Sequence, residues 1–205
     1  MLTILQKNDL YLNINKCQFE RQEVNYLRVC IGGKQIKMEE AKVEWVRDWK
    51  PSRNVTKVRH FLGFTGYYCY FIKGYSQIAQ PLLDLTKKST EWHWKESQQQ
   101  AFKELKNKMC SRPVLTHPDP NKMFYLQTDI SMQEVGAVLT QEAEGMKKQK
   151  PIAYFSGTFT PTKENYNIYE KEFLAVLKAL ENWRAHLIWT KKPFIIKTNH
   201  KNLTH

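Results

Sequence analysis

The stretch Phe124-Tyr-Leu-Gln-Thr-Asp-Ile-Ser131 constrains the fold more than any other. An apolar run of this length reads as a buried strand that ends by presenting one carboxylate, Asp129. A second run, Phe194-Ile-Ile-Lys-Thr-Asn199, repeats the order of apolar residues, a long polar side chain, Thr and a short polar side chain. Between them Tyr169, Phe173, Val176, Leu180, Trp183 and Leu187 recur at i, i+4, i+7, i+11, i+14 and i+18, the period of an amphipathic helix. That helix carries Glu172. Parallel strands with the helix packed across them would bring Asp129, Glu172 and Asn199 to one spot.

Two more strand-like runs, Gly136-Ala-Val-Leu-Thr-Gln141 and Pro151-Ile-Ala-Tyr-Phe-Ser-Gly-Thr-Phe159, flank a charged turn from Glu142 to Lys150. Three strands, a helix and a further strand open a mixed α/β sheet. Upstream, Val24 to Ile31, then Gly32-Gly33, then Lys34 to Met38 reads as a hairpin, because paired glycines supply the positive φ angles of a tight turn. From Glu39 the period lengthens to that of a helix. Ala41 to Trp49 forms one short helix, stopped by Pro51. Asn54 is the expected N-cap of the next, whose face is Val58, Leu62, Thr65, Cys69 and Ile72. Helices over Ser76 to Leu85 and Glu96 to Met109 follow, with Trp92-His-Trp94 between them. Pro113, Pro118 and Pro120 mark a linker. The expectation is an α+β chain, a small helical module followed by a partial mixed α/β sheet. Its divisions are 1–38, 39–112, a linker at 113–121, and 122–205. Because the N-terminal pattern starts without a cap, the chain is expected to begin partway into a larger fold.

A chain of 205 residues with 41 % hydrophobic content can build real cores. Its 32 Lys and Arg against 20 Asp and Glu leave a formal net charge of +12, spread along the chain, which points to a polyanionic partner. A merely Lys-rich globular protein is the alternative. Tyr67, Tyr68, Tyr70, Phe71 and Tyr75 interleave with Arg59 and Lys73, as a base-stacking and phosphate-binding surface would require. The same tyrosines would also serve as packing between helices. Cys17, Cys30, Cys69 and Cys110 show neither metal-ligand nor disulfide spacing, so reduced thiols are expected. No apolar run approaches the roughly 18 residues of a membrane span. An intracellular protein is expected, with cytoplasm and nucleus not distinguished.

Glu172 lies three residues after Tyr169 and four before Val176, at the edge of the predicted apolar face. A carboxylate there loses hydration unless it is paired or bound to a metal. Converging carboxylates at the end of a sheet suit Mg2+, which prefers hard oxygen ligands. Two such ions about 4 Å apart activate a water and stabilise the leaving oxygen of a phosphodiester. Each acid alone is equally readable as a boundary carboxylate held by a helix or a Lys.

Leu10-Tyr-Leu-Asn-Ile-Asn-Lys-Cys-Gln-Phe19, Val58-Arg-His-Phe-Leu-Gly-Phe64, Tyr67-Tyr68 with Phe71-Ile72, and Pro113-Val-Leu with Pro118-Asp-Pro120 stand in a telling order. Thr128-Asp129, Gly136-Ala-Val-Leu139, Tyr169-Glu-Lys-Glu-Phe-Leu-Ala175 and Thr198-Asn-His-Lys-Asn-Leu203 continue it. In order and spacing these motifs resemble, end to end, the polyprotein of gypsy-type LTR retrotransposons. The resemblance implies that residues 1–38 are the end of a reverse-transcriptase palm and 39–112 a thumb or connection-like region. Residues 122–205 would then be the first part of a ribonuclease H-like domain. It further implies that Asp129 matches the first catalytic aspartate, bridging both metals, and Glu172 the catalytic glutamate.

Asn199 stands where the family's Thr-Asp-His motif has its aspartate, so binding of Mg2+ or Mn2+ at Asp129 and Glu172 should be weakened. The fourth acidic ligand would fall beyond His205, and the polymerase's Asp-Asp pair is absent from the sequence. Arg28 replaces a glycine of the primer-grip-like hairpin, and Cys69-Tyr70 replaces a basic pair. Nucleic-acid contacts are expected at Arg59, Tyr67, Tyr68, Lys73 and His200. The partners implied are an RNA/DNA hybrid or another nucleic acid and the missing parts of the parent polyprotein. The expected function is therefore that of a truncated, decaying fragment of a retrotransposon reverse transcriptase and ribonuclease H. The family's activities are RNA-directed DNA synthesis and metal-dependent cleavage of RNA in hybrids, impaired or lost in this chain. The alternatives are a noncatalytic nucleic-acid-binding module and a nonfunctional pseudogene product.

Overall fold

The computed structural model describes residues 2–88, 90–131, 133–143, 148–160 and 165–198. Helix α1 (Leu2–Lys7) and the segment after it leave Ile4, Leu10, Tyr11 and Phe19 exposed. Strands β1 (Glu23–Tyr26), β2 (Val29–Gly32) and β3 (Gln35–Met38) then form an antiparallel meander. Where the sequence predicts one strand from Val24 to Ile31, a two-residue turn at Leu27-Arg28 cuts it in two. Both turn residues have positive φ (46° and 66°), as do Gly33 and Lys34 (55° and 59°) in the next turn. Such turns match the twist of antiparallel strands, so the local strain at three non-glycine residues is offset by strand pairing. Gly32 lies in β2, outside the turn. A Cβ there would stand 2.5 Å from the Gln22 carbonyl oxygen, so the close approach of the two backbones requires glycine.

Helices α2 (Glu40–Asp48), α3 (Val55–Tyr67), α4 (Tyr75–Asp84) and α5 (Glu96–Cys110) build the module the sequence predicts. Asn54 caps α3, its Oδ1 accepting from the Lys57 amide at 2.9 Å. Val58, Leu62, Thr65 and Ile72 are buried as expected. Cys69 is only half-buried, because α3 stops at Tyr67 and a 3-10 turn (Cys69–Phe71) redirects the chain. Phe61 sits at the centre, its ring 4.6 Å from Phe102 and 5.5 Å from Trp49. The proline-marked stretch after α5 contributes strand β4 (Val114–Thr116), which pairs antiparallel with β3 and completes a sheet of order β1-β2-β3-β4. The stretch read as a linker at 113–121 therefore carries structure of its own.

The second sheet contains β5 (Phe124–Ile130), β6 (Glu134–Glu142), β7 (Gln149–Thr158) and β8 (Ile195–Lys197), in the order β7-β6-β5-β8. Among the described residues its one parallel pair is β5 with β8, and helix α6 (Ile168–Asn182) with the short α7 (Arg184–Leu187) makes the crossover. Ala179 and Trp183 of this crossover pack toward the sheet with Leu126, Leu139 and Ala153, and Ala175 packs with Val135 and Phe159. Val176, Trp183 and Leu187 of the predicted helical face are buried, but the N-terminal part of that face is not. The buried stripe runs through Glu172, Ala175, Val176, Ala179 and Trp183, while Tyr169 and Phe173 are 48 % and 56 % exposed. The small side chains of Ala175 and Ala179 let the middle of the helix approach the sheet closely, and Trp183 fills the wider space at its C-terminal end against Phe155. The other face of the sheet meets the helical module. Tyr70 packs against both cores, and the Ser76 amide donates to Ser156 Oγ at 2.9 Å. Among the described residues no helix is long and apolar enough to cross a membrane.

Candidate functional site

Alternation along β5 buries Phe124, Leu126 and Thr128 toward α6 and leaves Gln127 and Asp129 on the opposite face. Asp129 is exposed and lines a cleft of about 350 Å3. Lys73 and Gln77, brought in by the helical module, border the same cleft, as do Ser131 and Glu134. Burial holds the Glu134 carboxyl above its ordinary value. Neither Glu134 nor the pairing of Lys73 with this cleft was legible in the sequence. Glu134 precedes the apolar run from which β6 is recognised, and Lys73 comes from another element.

Glu172 is 7 % exposed and lies within the buried stripe of α6, not at its edge. Its Oε2 accepts from the Thr198 hydroxyl at 3.4 Å, just past β8. Glu172 thus reaches this end of the sheet from the α6 side, and Asp129 faces the other way. Asn199 and His200 lie outside the described residues. Oxygen donors of these kinds suit Mg2+. Among the described residues, however, no three His, Cys, Asp or Glu side chains are grouped to hold a metal ion.

The basic and aromatic candidates divide. Arg59 and Tyr67 stand on the exposed side of α3 with Gly63 between them, at i, i+4 and i+8. A Cβ at Gly63 would meet nothing within 4 Å, so packing does not explain the glycine. It leaves a flat, open place between a guanidinium and a phenol. Arg59 Nη2 donates to the Thr86 carbonyl at 3.0 Å, which steadies the head group. The Arg28 guanidinium lies 5.3 Å over the Tyr67 ring, and the Tyr67 hydroxyl donates to the Leu27 carbonyl, joining the β1–β2 turn to α3. Arg28, which stands in place of a glycine of the primer-grip-like hairpin, thus adds a cation to this face, a placement that only the tertiary contact with α3 reveals. Tyr68, expected at the nucleic-acid surface, turns inward instead. It is fully buried, donates to the Arg28 carbonyl at 3.1 Å, and has its hydroxyl pushed up to about 12 by burial. Lys73 is exposed.

Comparisons with known proteins agree with this architecture. Over 203 residues the chain is 36 % identical to the Transposon Tf2-3 and Tf2-4 polyproteins of Schizosaccharomyces pombe, covering 99 % of this chain and 15 % of each polyprotein. The chain therefore spans about 15 % of the length of these relatives. Among solved structures, the foamy viral protease-reverse transcriptase in complex with RNA/DNA hybrid superposes with a TM-score of 0.76 at 20 % identity, over 97 % of this chain and 28 % of that one. The foamy viral protease-reverse transcriptase dRH in complex with double-stranded DNA gives 0.74 over 88 % of this chain and 31 % of that one, also at 20 % identity. The profile of the RNase H-like domain found in reverse transcriptase matches residues 94–196. With half its length under that profile and the parallel β5–β8 pair, crossover helix and helical module in place, the chain belongs to the family of RNase H-like domains found in reverse transcriptases.

Proposed function

We propose that this chain is the part of a retrotransposon reverse transcriptase that grips an RNA/DNA hybrid, with α3 and the β1–β2 turn laid against the duplex. The observation that carries the reading is the open Arg59–Gly63–Tyr67 track with Arg28 beside it, on a chain of formal net charge +12. Guanidinium groups meet phosphates, and the absent side chain at Gly63 allows a sugar edge to approach the helix. In this reading residues 39–112 act as the thumb or connection-like region, and residues 122–205 belong to the ribonuclease H-like domain. Residues 1–38 supply the end of the palm.

Hydrolysis by this chain should be weak or absent. Asp129 and Glu172 occupy the catalytic positions that the resemblance assigns, but the third is the amide Asn199, which offers Mg2+ or Mn2+ one neutral oxygen. Cleavage of an end-labelled RNA strand in a hybrid, assayed in each metal against Asp129→Asn, checks this. Cleavage that disappears in that variant would overturn the impairment.

Binding is tested by anisotropy of a labelled RNA/DNA hybrid over a salt series. Affinity should fall steeply with salt, and Arg59→Glu should weaken it and flatten the slope by about one counterion per lost phosphate contact. Gly63→Glu separates binding from folding. Replacing an exposed helical glycine should raise stability by up to about 1 kcal/mol, whereas the carboxylate blocks the track. Salt-independent binding, or binding untouched by Gly63→Glu, would overturn the assignment.

A further inference from the structure

Between the Trp49–Lys57 segment and the Trp92–Trp94 segment opens a cleft of about 1010 Å3 that the hybrid-gripping track does not use. Its walls are aromatic. The Trp92 and Trp94 rings lie 5.9 Å apart and 31° from parallel. Trp94 is fixed by donation from Nε1 to Gln99 Oε1 at 2.8 Å and by an edge contact with Phe102 at 6.1 Å. Across from them, Trp49 is anchored on Phe61. All three indoles are only half-buried, so they are held by the core yet keep surface free.

The rim is basic. Arg53, Lys57 and His60 are exposed, and among the described residues none of them has a carboxylate within ion-pair distance. Ser52 also lines the cleft. It is 6 % exposed, and its Oγ has no hydrogen-bond partner in the protein. A buried hydroxyl is seldom left without a partner, and an orphan at the edge of a cleft calls for one from outside the chain. Fixed indole surfaces, unpaired cations and an orphan hydroxyl together suit one kind of ligand, a flat aromatic ring that carries phosphate.

We propose that this cleft binds a nucleotide, with the base against Trp92 and Trp94, the phosphate between Arg53 and Lys57, and the Ser52 hydroxyl as a further donor. The nucleotide is either free or the terminal residue of a single strand. Paired bases inside a duplex are stacked on one another and do not reach such a recess. The site is separate from the Arg59–Gly63–Tyr67 track and stands whether or not that track grips a hybrid.

Isothermal titration calorimetry of the full chain with ATP, with a 5′-phosphorylated oligothymidylate and with inorganic tripolyphosphate tests it. Trp92→Ala should weaken ATP or the oligonucleotide about tenfold, the scale of one lost stacking contact, and leave tripolyphosphate unchanged. The double variant Arg53→Glu with Lys57→Glu should weaken all three. It keeps the test valid if Trp92→Ala fails to fold, since both residues are exposed and a carboxylate in the first turn of α3 favours the helix. Binding of ATP identifies the free nucleotide as a sufficient ligand, and binding of the oligonucleotide alone assigns the site to a strand end. Absence of binding by both overturns the proposal, as does binding indifferent to both variants. Arg59→Glu should leave these affinities unchanged; their loss there would move the ligand to the outer face of α3 and refute the cleft.

Discussion

Gln141 shows what a single polar side chain can hold in this fold. It is 2 % exposed, donates through Nε2 to the Asp119 and Lys122 carbonyls at 2.8 and 3.2 Å, and accepts from the Asp119 amide at 2.9 Å. One residue of β6 thereby fastens the turn that leads into β5. Gln141→Leu leaves these partly buried groups without their partner and should cost about 1–3 kcal/mol, read as a lower urea midpoint at unchanged slope. An unchanged midpoint would mean that water replaces the amide. At this scale the sequence was uneven. Asp129 and Asn54 were legible because their neighbours fix their settings, a strand end and a helix start. Gln141 was not, since a glutamine closing a strand looks the same whether it faces water or a turn packed above it. Tyr68 deceived for the opposite reason: it stands among exposed-looking tyrosines, and only the tertiary packing of α3 decides which of them turns inward.

The helix α6 is where period and phase part company. The apolar spacing correctly gave a helix, and the parallel β5–β8 pair it connects was also foreseen. The stripe that faces the sheet was legible in its second half, where Val176, Trp183 and Leu187 are buried, and not in its first, where Tyr169 and Phe173 outweigh Ala175 and Ala179 in hydrophobicity though not in fit. The two faces therefore respond differently to substitution. Ala179→Leu overfills the contact with β5 and should destabilise by about 1–3 kcal/mol. Phe173→Lys, on a residue 56 % exposed, should stay within about 0.5 kcal/mol of the parent. Chemical denaturation of the two variants checks this, and a larger loss at Phe173 would restore the stripe first predicted. The buried position of Glu172 follows from the same rotation.

For the molecule as a whole, the second sheet is covered by α6 on one face and meets the helical module on the other, with Tyr70 shared between their cores. The chain should unfold in one cooperative step. Far-ultraviolet circular dichroism and tryptophan fluorescence should give coincident urea transitions, because Trp49 and Trp94 report on one core and Trp183 on the other. Two separated transitions would show that the modules stand apart. The prolines after α5, where the sequence suggested a boundary, lie around and beyond Leu115 of the first core and before Phe124 of the second. The sequence concealed that the boundary stretch returns to the first sheet, since three residues of β4 carry too little pattern to be read. That return sets an order of events on the ribosome. The pairing of Gln35 with Thr116 closes a loop containing every helix from α2 to α5. The meander emerges early, yet its open edge must wait until all four helices have been made, and such long closures are slow. A nascent chain stopped anywhere from α2 to α5 would hold β3 against β2 with its outer edge open, the interval in its synthesis when that edge is free to capture a strand from a neighbouring chain.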